Sequence, residues 1–272
     1  MTAAESDTIR TGPPRSNARP LAVVSGAGRG IGRAIAVHMA KQGFDLEMSA
    51  LDLSEAEETH RKLPPEAAAM TVRADFRSRA ETDAWTTGLL ERAPQIDALI
   101  HNAGIGGPDP EDLEANLAHL DHVLQVNVEA VLRITRKLTG ALPRDGSGRI
   151  VIIASVLGRM GVARFSAYCA SKAAVIGLGR AMAKDLAPKR ITVNMICPGW
   201  TDTAMAQQGF EAIAAATSTT PEEARRMVEK GLPLGRIVRP EEVAALAGFL
   251  ASPAAGAMTG QTINMCAGDL QR

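Results

Sequence analysis

The fold turns on one stretch, Leu21-Ala22-Val23-Val24-Ser25-Gly26-Ala27-Gly28-Arg29-Gly30-Ile31-Gly32. A short β-branched run stops at glycines, and a helical pattern starts at once. Glycines at such a junction let the backbone turn sharply and approach an anion with no Cβ in the way. The helix amino terminus then offers free N–H groups and the positive end of its dipole. Elsewhere in a chain the cluster would read as a tight turn. Between a strand and a helix, at the head of the ordered sequence, it points to a dinucleotide pyrophosphate.

Outward from this turn the same alternation repeats. Short apolar runs at 21–25, 46–51, 69–73, 98–101, 149–154, 191–196 and 262–266 read as strands. Segments of helical period lie between them, near 31–43, 54–62, 79–93, 113–141, 166–187 and 240–251. The strands are almost continuously apolar, as in Ile150-Val151-Ile152-Ile153-Ala154. That is expected where helices cover both faces of a sheet. Strict β–α alternation predicts an α/β fold, a single doubly wound Rossmann domain on a seven-stranded parallel sheet. Residues 21–272 form that domain, and 1–20, rich in Pro, Ser, Thr and Arg, read as a flexible tail. The Ala-rich interval about 200–232, between the sixth and seventh strands, reads as a short lid.

Composition narrows the function classes. Thirty basic and thirty acidic residues cancel in a chain of 272, which argues against a nucleic-acid binder. No apolar run reaches the roughly 18–20 residues needed to span a bilayer, and the first twenty residues carry no secretory signal pattern. Three cysteines without a CxxC pair argue against a disulfide framework or zinc ribbon, and the histidine spacing defines no catalytic metal. These features imply a soluble, cytoplasmic protein.

Tyr168, the sole tyrosine, stands four residues before Lys172, so a helix presents both on one face. A phenol with its ordinary pKa near 10 is a poor base at neutral pH. An ammonium about 5 Å away, at an effective dielectric near 20, would lower it by about two pKa units before desolvation opposes the effect. Ser155 leaves the fifth strand at the edge where open parallel sheets bind ligands. Asn127 interrupts an apolar helical stretch, ordinarily the mark of a satisfied core amide.

Taken together, the GxxxGxG spacing of Gly26, Gly30 and Gly32 with Tyr168 and Lys172 resembles the short-chain dehydrogenase/reductase family. Ser25 replaces that family's usual Thr. The resemblance spans about residues 20–268 and maps the catalytic tetrad onto Asn127, Ser155, Tyr168 and Lys172. It implies that Tyr168 exchanges a proton with the substrate oxygen while Ser155 orients that oxygen. Lys172 would bind the nicotinamide ribose and lower the Tyr168 pKa, and Asn127 would support a water in the proton relay. It also implies cofactor contacts from Gly26, Gly28, Arg29, Gly30, Ile31 and Gly32, from Ala50 and Leu51, and from Asp75 and Phe76. Asn102, Ala103 and Gly104, in a variant of the NNAG motif led by His101, would line the adenine-ribose side. Pro198, Gly199, Thr201 and Thr203 resemble the PGxxxT segment beside the carboxamide. His101 itself reads as a strand-end residue bonded to the backbone.

The activity implied is interconversion of a ketone and a secondary alcohol with NAD(P). The ending from Gly231 to Gln261 looks most like 3-oxoacyl-thioester and polyketide ketoreductases. Phe165, Trp200 and Met205, with Ser155 and Tyr168, are the substrate-pocket candidates. Two alternatives are a sugar-nucleotide epimerase or dehydratase and a non-enzymatic dinucleotide sensor. The partners expected are a small carbonyl or alcohol substrate and further copies of the chain, in a homotetramer or homodimer. Ala50 occupies the position of the acidic residue that would bind a ribose 2′-OH, and Arg29 could pair with a 2′-phosphate. The reading therefore favours NADP(H), with NAD(H) open should the strand run on to Asp52.

Overall fold

The computed structural model describes residues 7–16 and 19–271. Its elements, in chain order, are β1 (Thr8–Thr11), β2 (Leu21–Val24), α1 (Gly30–Lys41), β3 (Asp45–Ala50), α2 (Leu53–Arg61), β4 (Ala69–Arg73), α3 (Arg79–Arg92), β5 (Ala98–His101), α4 (Leu113–Leu124), α5 (Ala130–Leu138), β6 (Arg149–Ile153), α6 (Ser166–Leu186), β7 (Thr192–Pro198), α7 (Ala204–Thr217), α8 (Pro221–Gly231), α9 (Pro240–Ala251) and β8 (Thr262–Met265). The strands form one sheet in the order β1-β4-β3-β2-β5-β6-β7-β8. All pairings among β2–β8 are parallel. Side chains alternate between two apolar layers. Leu21, Val23, Ile150 and Ile152 face one, against α3, α5 and α6. Ala22, Val24, Val151 and Ile153 face the other, against α1 and α9. No helix among the described residues is long and apolar enough to cross a membrane.

The sheet corrects the expected strand count from seven to eight. Part of the stretch read as a flexible tail forms β1, which pairs antiparallel with β4 from Thr8 opposite Val72 to Thr11 opposite Ala69. His60 of α2 fastens it: its Nδ1 shares a hydrogen bond with Thr11 Oγ1 (2.6 Å) and its Nε2 with Thr71 Oγ1 (2.8 Å). Thr8-Ile9-Arg10-Thr11 has no periodicity of its own. It is held by partners some sixty positions away, which local patterning does not register.

Two details place the site. The sheet order reverses at β2, which has β3 on one side and β5 on the other, so a crevice opens outside the carboxyl ends of β2 and β5. The helix expected over 113–141 is α4 and α5 joined through a π-helical turn at Gln125–Glu129, with Asn127 at its centre. Such turns insert one residue into a helix and are frequent at functional sites. The interval after β7 holds two helices, α7 and α8, packed on each other.

Candidate active site

The glycine turn closes on the end of β5. Gly26 and Gly30 adopt φ of +68° and +54°, the left-handed region that costs glycine nothing. Ser25 Oγ accepts from the backbone N–H groups of Asn102 (3.0 Å) and Ala103 (3.1 Å). Asn102 Nδ2 donates to the carbonyls of Ser25 (3.2 Å) and Gly26 (2.8 Å). A Cβ on Gly32 would run into the Gly26 carbonyl and the Asn102 amide. Asn102 thus braces the turn. Ala103 is packed against Gly26, where a Cβ would fall 2.8 Å from its Cα. No side chain caps α1, where Arg29 holds the cap position and Ile31 is half-buried in the first turn.

At the carboxyl end of β6, Ser155 Oγ accepts from Leu157 N–H (3.1 Å) and opens a short 3-10 turn. Tyr168 and Lys172 lie on successive turns of α6, with Lys172 Nζ 5.5 Å from the Tyr168 ring centre. Nζ donates to the Ile153 carbonyl (3.1 Å). Burial pushes the Tyr168 phenol up to about 12, opposed by its hydrogen bond with Ser155. Burial pulls Lys172 down to about 8. Burial thus sets the net upward direction for the phenol, with the Ser155 bond opposing it.

Asn127 is buried, and its side chain is fully engaged. Oδ1 accepts from Ile105 N–H (2.9 Å), while Nδ2 donates to the Ile105 carbonyl (2.8 Å) and to Ser171 Oγ (3.0 Å). Ser171 in turn donates to the Tyr168 carbonyl (2.8 Å). The amide ties the loop after β5 to α6 and has no hydrogen left for a water. Ser171 and Gly106 were not among the residues expected here. A Cβ on Gly106 would lie 2.5 Å from Tyr168 Cδ2, so the bare backbone packs on the ring face. A glycine two positions beyond Asn102-Ala103-Gly104 was the available signal. A Cβ on Gly104 would likewise crowd Asn127 Oδ1 (3.2 Å) and Lys172 Nζ (3.4 Å).

The other expected residues are placed as follows. The Phe76 ring is in the core, 5.3 Å from the Trp85 ring, so its side chain is not free to meet an adenine. Asp75 is held by Arg77 (2.7 Å), whose hydrogen bonds keep its carboxyl below the usual range. Trp200, half-buried, stacks on Phe210 of α7 at 5.1 Å and supports that helix. His101 is bonded through Nε2 to Thr135 Oγ1 (2.8 Å), a side chain and not the backbone. Arg29 pairs with Glu55 (3.1 Å) at the surface. Ala50 ends β3 and is buried, Leu51 is exposed, and Asp52 caps α2 by accepting from Ser54 N–H (2.8 Å) and Oγ (2.7 Å). Pro198 closes β7 and Gly199 packs on Cys266. Thr201 Oγ1 donates to the Gly199 carbonyl (3.0 Å), and Thr203 caps α7. Thr203 Cγ2 would lie 3.2 Å from a Cβ on Gly30, so this segment borders the glycine turn. Phe165 is half-buried just before α6, and Met205 is exposed on α7.

A family model described as enoyl-(acyl carrier protein) reductase, of the short-chain dehydrogenase/reductase family, matches residues 26–268. The chain belongs to that family. Among curated proteins this dehydrogenase/reductase is 39% identical to an assigned ketoacyl reductase of the monensin polyketide synthase from Streptomyces virginiae, over 91% of this chain and 96% of that one. It is 33% identical to the sorbitol dehydrogenase of Cereibacter sphaeroides, with the same two coverages. Among solved structures it resembles an actinorhodin polyketide ketoreductase variant with NADPH at a TM-score of 0.83. That pair is 33% identical, covering 93% of this chain and 98% of that one. Measured against the family pattern, the chain's glycine turn, Ser155, Tyr168 and Lys172 all border the crevice at the switch point.

Proposed function

We propose that this short-chain dehydrogenase/reductase interconverts a ketone and a secondary alcohol with a nicotinamide dinucleotide, using Tyr168 as the general acid and base. One observation carries the reading: Tyr168, its Ser155 partner and Lys172 converge at the carboxyl end of β6 and the first turns of α6, beside a turn shaped for a pyrophosphate. The residues fit such a cofactor. Gly26, Gly28 and Gly30 and the uncapped start of α1 would hold its phosphates. Gly104, with no side chain, lets its loop lie close to Lys172 Nζ, which would hold the ribose. When bound, the dinucleotide supplies or accepts the hydride at the reacting carbon.

The chain's own groups manage the oxygen. With its phenol up at about 12, Tyr168 is protonated at neutral pH and begins reduction as the acid. As negative charge develops on the substrate oxygen, Tyr168 delivers its proton there and Ser155 Oγ holds the oxygen in line. Lys172 Nζ lies 5.5 Å from the ring centre of the phenolate left behind, and its ammonium stabilises that charge in a low-dielectric setting.

The ketoacyl reductase relatives support a 3-oxoacyl-type carbonyl substrate, with Phe165 and Met205 beside the cleft and α7–α8 acting as its lid. They lend no support to the epimerase or sensor alternatives. Ala50 at the end of β3, with Asp52 already committed to capping α2, supports NADP(H) over NAD(H). Exposed Leu113, Leu117 and Leu132 support a homotetramer or homodimer through these helices, which sedimentation would test.

The deciding experiment is a ketone panel with NADPH and NADH, comparing wild type with Tyr168→Phe. The variant should bind the dinucleotide normally and lose about 10²–10⁴ in rate. Near-full turnover by Tyr168→Phe refutes the acid–base assignment, and a wild type selective for NADH overturns the cofactor preference.

A further inference from the structure

The loop after β5 carries Asp109, which belongs to no family motif and touches neither Tyr168 nor the glycine turn in any contact described above. Its carboxylate accepts from the backbone N–H groups of Ser166 (2.6 Å) and Ala167 (3.2 Å), the first two residues of α6. Its own N–H donates to the Arg164 carbonyl (2.6 Å). Arg164 sits at φ +64°, a conformation that is strained for a non-glycine residue. Most other helices here take their caps from the residue next door: Asp52, Ser78, Asp112, Thr203 and Thr220. For α6 that position is Phe165, which cannot cap, and the acceptor comes from 57 positions away.

Tyr168 is the third residue of α6, so the turn Asp109 holds is the turn that aims the phenol. The same loop presses Gly106 on the Tyr168 ring. One carboxylate therefore fixes the ring from two directions, through the start of its helix and through the loop on its face. Burial alone would raise the Asp109 pKa, but the bonds from Ser166 and Ala167 hold it below the usual carboxylate range, so it is ionised at neutral pH. The titratable and charged groups around it are His119 of α4 and, on the two loops, Glu111 and Arg164.

We propose that Asp109 is a positioning residue for the reaction, stitching the loop after β5 to the start of α6 so that Tyr168 meets the substrate oxygen in line. This rests on the role proposed for Tyr168, and the test separates the two. The full chain is assayed with ethyl acetoacetate and NADPH as Asp109→Ala, Asp109→Asn and Glu111→Ala. Because Tyr168 is the sole tyrosine, isotope-labelled tyrosine gives one ring resonance that reports its setting without turnover.

Asp109→Ala should shift or broaden that resonance and lower kcat by about 10–10²-fold, the scale of a 1 Å misplacement, with NADPH affinity unchanged. Asp109→Asn, whose amide oxygen still accepts an N–H bond, should recover most of both, and Glu111→Ala should match wild type. If Asp109→Ala does not fold, Asp109→Glu, which overreaches by one methylene, takes its place with the same expectation. An unmoved resonance with wild-type kcat overturns the proposal. So does a parallel fall of kcat, NADPH affinity and melting temperature in the Ala and Asn variants alike. If wild type does not reduce the probe, the proposed activity fails on that arm while the resonance still decides the role of Asp109.

Discussion

Replacing Gly106 by alanine would put a methyl group into the face of the Tyr168 ring. The added carbon would lie 2.5 Å from Cδ2, 2.8 Å from Cε2 and 3.2 Å from Cγ. Apolar carbons settle at about 3.5–4.0 Å, so ring and loop must part by about 1 Å. Gly106 is outside the left-handed region, so alanine adds no backbone strain and the whole effect falls on the contact. A displacement of that size costs about 10²-fold in rate, or about 2.7 kcal/mol of transition-state stabilisation. Steady-state and single-turnover reduction with NADPH should show the loss in kcat, with NADPH affinity little changed. Gly161→Ala, where nothing lies within 4 Å of the new carbon, should behave as wild type. In a Tyr168→Phe background Gly106→Ala should cost little more, because the hydroxyl it misplaces is already gone. A Gly106→Ala enzyme with wild-type kcat, or one that loses cofactor binding in step with rate, would refute the packing argument.

Deleting residues 1–12 removes the β1–β4 ladder and the Thr11 partner of His60; the denaturant midpoint should fall by the equivalent of about 1–3 kcal/mol, and an unchanged midpoint would show that β1 carries no weight. His101 is buried with its pKa pushed down to about 3 by desolvation, so the unfolded chain binds a proton that the native state refuses. Stability is then whole above about pH 6.5 and drains away as pH falls toward 3, by on the order of a few kcal/mol; His101→Asn should flatten that acid limb in denaturant titrations, and an unaltered slope would contradict it. Ala50→Asp should lower kcat/KM with NADPH and raise it with NADH, since a carboxylate there repels a 2′-phosphate and accepts from a 2′-OH; no change in the ratio would place cofactor choice elsewhere.

Where chemistry rests on short spacing, the chain can be read directly. Ser25 to Gly32 announce the crevice because the strand, the turn and the helix are contiguous. Tyr168 and Lys172 share a helix face by count alone. Features that depend on distant partners are silent. Phe76 and Trp200 stand beside motif residues, yet each ring turns to a partner in another element, Trp85 and Phe210. β1 needs Ala69–Val72, and the cap of α6 needs Asp109. The Tyr168 pKa illustrates a different gap: spacing suggests the Coulomb pull of Lys172, but the desolvation that raises the phenol depends on how the folded chain surrounds it.

The π-helical turn at Gln125–Glu129 makes chain length itself a constraint. An α-helix advances about 100° per residue, so one surplus residue rotates everything beyond it by about that angle. Upstream of the turn, Val123 faces the core; within it, Asn127 reaches Ile105 and Ser171; beyond it, Val131, Ile134 and Leu138 return to the core. Removing any one residue between Leu124 and Ala130 would heal the helix, but only by swinging Asn127 away from the loop or the Val131–Leu138 stripe into water. The segment can therefore absorb many changes of side chain more readily than the loss of a single position. Here the enzyme's arithmetic, more than its alphabet, is what variation must respect.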